Sequence, residues 1–348
     1  MSTTTIESDD GRIGTADGRS SQAPRNRGRT VDRFVSIGGM IAAAAGVLYL
    51  SGDPALQYTS VTAATVSIAA LGFFVVHQVG GTTLGQAGAM AIGAYTSGIV
   101  AIQTGMPVFF AMLVGILASC VVGVLLGALV TRAKTPFHFI LLTFTFSEVV
   151  RLAIERWVYG ADGLPNIPSP SIGGLVFDTA SSYFWLAMGM LAACMLFVRW
   201  LMSSNLARSF HAVRDGERHL APSFGIGVSR YKVVALMIAS GLAGLAGGLQ
   251  AHFSSFVSPD QFNLHFSVLI LTAAVFGGLG KVYGPVVGAF ALTFLNESLV
   301  QYPGISLLSY GVVLVVAMLV MPSGLAGILT GVRRLLIRRL SADSRGES

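Results

Sequence analysis

Ten apolar stretches, most of them long enough to cross a lipid bilayer, leave this chain few folds to choose from. They run at 34–50, 58–79, 84–104, 108–131, 137–157, 183–202, 231–253, 264–279, 284–300 and 305–321. A hydrocarbon core about 30 Å thick needs about 20 predominantly apolar residues of helix, and every backbone polar group inside it must find a partner within the protein. The expectation is an all-α membrane protein of about ten transmembrane helices. The stretches near Leu84 and Leu264, glycine-dense or short, also suit broken or re-entrant helices.

Charge placement agrees with this reading. Only 22 of 348 residues are basic and 16 acidic. Of these 38 charges, 26 crowd into residues 1–33, 199–232 and 333–348. A soluble domain spreads charge over a wet surface, so the distribution excludes a cytosolic enzyme. With the amino end in the cytoplasm, Arg132 and Lys134 come inside after four spans and 199–232 after six; Arg333, Arg334, Arg338 and Arg339 follow after ten, as the positive-inside rule requires. Cytoplasmic termini are therefore expected, with Asp53, Asp162, Asp178 and Asp260 in outer connections. Residues 1–32 read as a disordered cytoplasmic tail, 33–331 as the transmembrane domain with a cytoplasmic segment at 203–230, and 332–348 as a basic cytoplasmic tail. No cleavable signal is expected, and the first apolar run is taken as a retained span. Basic residues beside membrane ends report topology and give no reason to expect a nucleic-acid partner.

Catalytic chemistry finds no foothold. Lys134 and Thr135 resemble the end of a phosphate-binding loop, but Ala128 and Ala133 stand where its glycines are needed, so no ATP hydrolysis is expected of this chain. None of the six histidines, His252 among them, has metal-site spacing, and all are read as satisfied interfacial residues. Cys120 and Cys194 lie inside apolar runs as small hydrophobes. No catalytic residue, metal or bound cofactor is therefore predicted.

The costly polar residues are more informative. Thr145, Glu148, Arg151 and Glu155 are spaced by three, three and four, which predicts one polar helix face. Such a face inside a bilayer is either the wall of a translocation pathway or a self-neutralising Glu148/Arg151 pair within the bundle, and both readings stay open. Gly85 and Gln86 open a stretch where a helix can break and expose backbone to a polar solute; with Tyr95 at its end they join Thr145, Glu148 and Arg151 as candidate pathway residues. Residues 85–95 and 280–290 share Gly, seven residues, then Gly-Ala-aromatic, an echo that duplication and ordinary small-residue packing explain equally well. Finally, 211–232 mixes Arg, Asp and Glu with Val, Leu, Phe and Ile, as an amphipathic element that docks a partner or as a plain solvated loop.

Seven segments together carry a family resemblance: LGQAGAMAIGAY at 84–95, DGLPNIP at 162–168, AVRDGE at 212–217, GIGVSRYKVVA at 225–235, the run from ALMIASG to SPDQF at 235–262, FGGLGKVYGPVVGA at 276–289 and MPSGLAGIL at 321–329. In order and spacing the chain resembles a permease subunit of branched-chain amino-acid ABC importers, of the LivM branch. The resemblance implies a prokaryotic inner-membrane subunit working with a homologous permease subunit, two cytoplasmic ATPase subunits that use the ATP, and a periplasmic substrate-binding protein. It also makes 211–232 the ATPase-coupling element, with Arg214, Asp215, Glu217 and Gly225 as its docking residues. Pro222 and one extra residue between Glu217 and Gly225 depart from the family pattern. The same permease class includes subunits for urea, short amides and other amino acids; a stand-alone channel, an ion-coupled carrier and a membrane scaffold are the readings from other classes.

Overall fold

A computed structural model describes residues 53–132, 135–157, 160, 162–172, 175–176, 179–216 and 227–300. The expected spans at 34–50 and 305–321, both tails, Glu217 and Gly225 lie outside the described residues.

The described chain is helical. In order come α1 (Pro54–His77), α2 (Gln86–Thr104), α3 (Val108–Val130) and α4 (Pro136–Trp157); then short strands β1 (Leu164–Pro165), β2 (Ser171–Ile172) and β3 (Leu175–Val176); then α5 (Ala180–Ser203), α6 (Asn205–Gly216) and α7 (Val228–Ser254). Strand β4 (Phe256–Val257), a 3-10 turn at Pro259–Phe262, α8 (Leu264–Gly277) and α9 (Tyr283–Val300) follow. Local chemistry sets several boundaries. Asp53 caps α1 by accepting from the Ala55 N–H, with Pro54 in the first turn where its missing N–H costs nothing. Gly105, at φ 63°, closes α2 in a left-handed conformation. Asn263 caps α8 through the Phe266 N–H.

Five of these helices, α1, α3, α4, α5 and α7, are long and apolar enough to cross a membrane by length and composition. Helix α8 has 14 residues, about 21 Å of rise, which falls short of a hydrocarbon core of about 30 Å. It is the short element anticipated at 264–279.

Helix α7 is the hub, packing along α3, α2 and α1, while α9 packs along α1 and α8. Small residues make the close approaches possible. A Cβ built on Gly93 of α2 falls on the Gly244 backbone of α7, and one on Gly247 falls on the Met90 carbonyl. Such backbone-to-backbone contact supplies dispersion where lipid tails offer no hydrophobic incentive to associate. Around this centre α1 is 94% buried over its apolar window and α4 only 22%. The outward faces of α3 and α5 expose Phe110, Leu117, Val121, Leu196 and Trp200.

Contacts fix which helix ends lie together. Ser181 at the start of α5 donates to Gln57 at the start of α1 (2.9 Å), and Phe253 at the end of α7 lies against both Tyr58 and Tyr183. At the opposite end Val76, Leu126, Val130, Phe139, Leu236 and Ala239 form an apolar seal. Helices therefore alternate in direction from α1 to α5, and α7 returns, which is the alternation that crossing requires.

Candidate functional site

The chemistry gathers where α4 and α7 end. Two connections, α4 to α5 and α7 to α8, are sewn together there: β1 pairs antiparallel with β4, Leu164 opposite Val257 and Pro165 opposite Phe256. The Ile167 N–H extends the pairing to the Ser255 carbonyl at 3.1 Å. Tight backbone makes this possible. Gly163 sits at φ 78°, where a Cβ would meet the Val257 carbonyl, and Asn166 and Ser255 take φ values of 58° and 52°. Each non-glycine residue held there stores on the order of 1 kcal/mol or more, which the surrounding bonds must outweigh.

Three helices fasten this strap. From α2 the Tyr95 hydroxyl donates to the Val257 carbonyl at 3.2 Å. From α7 the fully buried His252 places Nδ1 2.7 Å from the Pro168 carbonyl. From α4 Arg151 reaches Asp260 in the 3-10 turn at 3.4 Å. That guanidinium is shared: Arg151 Nε donates to Glu148 at 2.9 Å and a terminal nitrogen to Glu155 at 3.2 Å. One cation thus serves three carboxylates, and with all four ionised the group carries two uncompensated negative charges. Arg151, Glu148 and Glu155 are 19%, 25% and 31% exposed and Asp260 85%, so the group grades from a semi-buried core to water.

Glu148 and Arg151 lie in this group, and Tyr95 reaches the same strap from α2. Gly85 and Gln86 lie elsewhere, buried where the break after α1 meets the first residue of α2. There the Leu84 N–H donates to Thr143 of α4 (3.1 Å), and Gly88 lies against the backbone of Ser147. Gln86 is 4% exposed, and its Oε1, like Nε2 of Gln78, has no hydrogen-bond partner among the described residues. Thr145 is not part of either group. It is exposed, while Thr143 and Ser147 are the α4 hydroxyls that turn inward. Each step of three residues turns the helix 300°, so the positions 145, 148 and 151 drift 120° around α4 and leave Thr145 facing out.

Two members of the strap, Asp260 and His252, were not among the candidate pathway residues. Asp260 stood in view within the SPDQF segment. His252 gave no signal of its role: read as interfacial, it proves to be 0% exposed.

At the opposite end α6 links α5 to the segment preceding α7. Ala207, Phe210 and Val213 are buried, and Phe210 meets Tyr231 of α7 edge-on at 6.3 Å. Arg208, His211 and Arg214 are exposed on the other face. Of the segment 211–232, residues 211–216 form the end of this helix, 228–232 open α7 and 217–226 lie outside the described residues. Asp215 lies in the last turn of α6. No group of three or more His, Cys, Asp or Glu side chains that could hold a metal occurs among the described residues.

Comparison with known proteins bears on what these features serve. Residues 55–322 match the family described as branched-chain amino acid transport system / permease component. The chain is 30% identical to the high-affinity branched-chain amino acid transport system permease protein LivM of Salmonella typhimurium, over 74% of this chain and 67% of that protein. It is 29% identical to the LivM protein of Escherichia coli K12, with the same coverage. The ribose import permease protein RbsC of Haemophilus influenzae is 26% identical over 70% of this chain and 75% of its own length. No solved structure matches the chain. The relatives are transport permeases and not enzymes, and the several apolar helices are those of a multi-pass membrane protein. The chain belongs to the branched-chain amino acid transport system permease family.

Proposed function

We propose that this chain is one of the two membrane subunits of an ATP-driven importer of branched-chain amino acids, forming half of the translocation pathway in a prokaryotic inner membrane. About ten spans, with both termini and α6 in the cytoplasm and the strap outside, complete the topology. The partners are a homologous permease subunit, two cytoplasmic ATPase subunits and a periplasmic substrate-binding protein. The chain itself holds no ATPase site and no cofactor; the ATP is used by the partner subunits.

The observation that carries the ATP-driven reading, against a stand-alone channel or ion-coupled carrier, is α6. Its 12 residues span about 18 Å, too short to cross, and they are anchored by one apolar face while Arg208, His211 and Arg214 face outward. A short helix seated by its apolar face, with cationic side chains turned outward, offers a separate motor subunit a surface to engage. The LivM relatives favour branched-chain amino acids over the sugar that the name of RbsC specifies. On this reading the Glu148–Arg151–Glu155–Asp260 group stands at the outer mouth of the pathway and Gly85 and Gln86 stand along it.

The test is co-purification and hydrolysis. The chain alone hydrolyses no ATP and captures ATPase subunits through α6, and Phe210→Ala, which loosens that helix, lowers capture. ATP hydrolysis by the isolated, contaminant-free chain would defeat the reading.

A further inference from the structure

We propose that His252 is a positioning residue for transport: its Nδ1–H bond to the Pro168 carbonyl holds residues 163–168 in place as a strap across α2 and the ends of α4 and α7. The proposal rests on the importer reading above.

A carbonyl oxygen only accepts, so Nδ1 carries the proton. At 2.7 Å the bond is at the short end for N–H···O. The ring is wholly buried, and Nε2 has no partner among the described residues, so a second proton there would have no acceptor. Among the described residues the ring therefore has one bond to make, the one from Nδ1. Burying such a polar ring is unfavourable unless that bond is made, whereas an apolar ring would fill the same space without it.

The location gives the bond its consequence. Residues 163–167 are held to the α7–α8 connection by the β1–β4 pair and by the bond from Ile167. His252 pins the following residue, Pro168, directly to α7. Tyr95 and Arg151 tie the same sewn connections to α2 and α4. Any rearrangement that separates these three helices at this end must either carry the strap along or break one of its fastenings. His252 is the buried fastening, and Arg151 to Asp260 is the wet one.

The test separates the hydrogen bond from the volume of the ring. In His252→Asn the side-chain Nδ2 stands near the place of Nδ1 but volume is lost; in His252→Phe the volume stays and the donor is lost. Both are placed in the complete complex in vesicles, and leucine uptake is measured at matched complex yield. A second readout is the rate at which a membrane-impermeant maleimide modifies Ile167→Cys, a position within the strap that is 2% exposed. His252→Asn is expected to keep uptake within about twofold of the parent, while His252→Phe loses about fivefold or more and labels Ile167→Cys about fivefold faster, the factor one buried hydrogen bond is worth. A disulfide between Pro165→Cys and Phe256→Cys, directly opposed in the β1–β4 pair, should restore uptake to His252→Phe until it is reduced.

Equal uptake and labelling in the two variants, or better function in His252→Phe than in His252→Asn, would overturn the proposal. So would failure of His252→Phe to assemble or transport with the disulfide formed. If the parent complex imports nothing, the importer reading fails instead, and the labelling rates still decide whether His252 holds the strap.

Discussion

Replacing Arg151 with leucine should cost more than replacing any one of its three partners. In Arg151→Leu, Glu148 and Glu155 lose the guanidinium that sits 2.9 and 3.2 Å away and face each other across two turns of α4. A charge stranded at mid-membrane costs about 2.5 to 3.5 kcal/mol. Both carboxylates are a quarter to a third exposed and lie toward a helix end, so solvent screening brings their combined penalty to about 2 to 3 kcal/mol. Asp260, at 85% exposure, rehydrates and adds little. In Glu148→Leu, by contrast, Arg151 keeps Glu155 and Asp260, and the loss is that of one charged hydrogen bond, about 1.5 kcal/mol. The Glu148→Leu/Arg151→Leu double variant strands only Glu155 and should recover about 1 kcal/mol relative to Arg151→Leu alone. At about 2 °C per kcal/mol, thermal unfolding of the detergent-purified complex resolves the series: a drop of about 5 °C, about 3 °C and an intermediate value. Uptake by the same variants separates architecture from pathway. If the double variant recovers stability and still transports poorly, the face lines the pathway; if it transports normally, the group is structural. Equal melting points for Arg151→Leu and Glu148→Leu would refute the shared-cation arrangement.

Other outcomes follow from contacts elsewhere. Gly247→Ala should destabilise by about 1 to 3 kcal/mol, because its Cβ falls on the Met90 carbonyl, whereas Gly189→Ala, with nothing within 4 Å of its Cβ among the described residues, should be neutral or raise the melting point slightly; a matching loss in both would show that α2 and α7 are not in backbone contact. Arg214→Ala should leave assembly and substrate delivery intact while lowering ATP-coupled uptake about five- to thirtyfold, the worth of an interface contact of about 1 to 2 kcal/mol; unchanged uptake and stimulated hydrolysis would make Arg214 a solvated residue. Ser204→Cys, at the junction of α5 and α6, should resist an impermeant maleimide applied from outside sealed cells and react once the membrane is opened, and outside labelling would invert the topology.

The helices were legible because apolar runs end where the chain changes chemistry. The run 58–79 became Pro54–His77, 108–131 became Val108–Val130 and 231–253 became Val228–Ser254, each within a few residues. The stretch 264–279, counted among the ten spans with a broken or re-entrant helix as the alternative, holds a helix of only 14 residues. The strap was not legible, since β1 and β4 are two residues each and pair across some ninety positions of chain, a match no local pattern announces. Periodicity also misjudged Thr145: steps of three look like one face on paper, yet they precess around the helix, and Thr143 and Ser147 are the hydroxyls that face α2. His252 illustrates the general difficulty, because a buried histidine and an interfacial one look alike in sequence, and only the position of Pro168 in space distinguishes them.

The central claim is that this chain conducts branched-chain amino acids only when driven by separate ATPases. Its most direct test is accumulation of labelled leucine, isoleucine and valine, with ribose and urea as alternatives, in vesicles containing this chain, its partner permease, the ATPase subunits and the binding protein. The account predicts accumulation of the three branched-chain amino acids that requires ATP and every subunit, with ribose and urea excluded; accumulation without the ATPase subunits, or preference for ribose or urea, would contradict it.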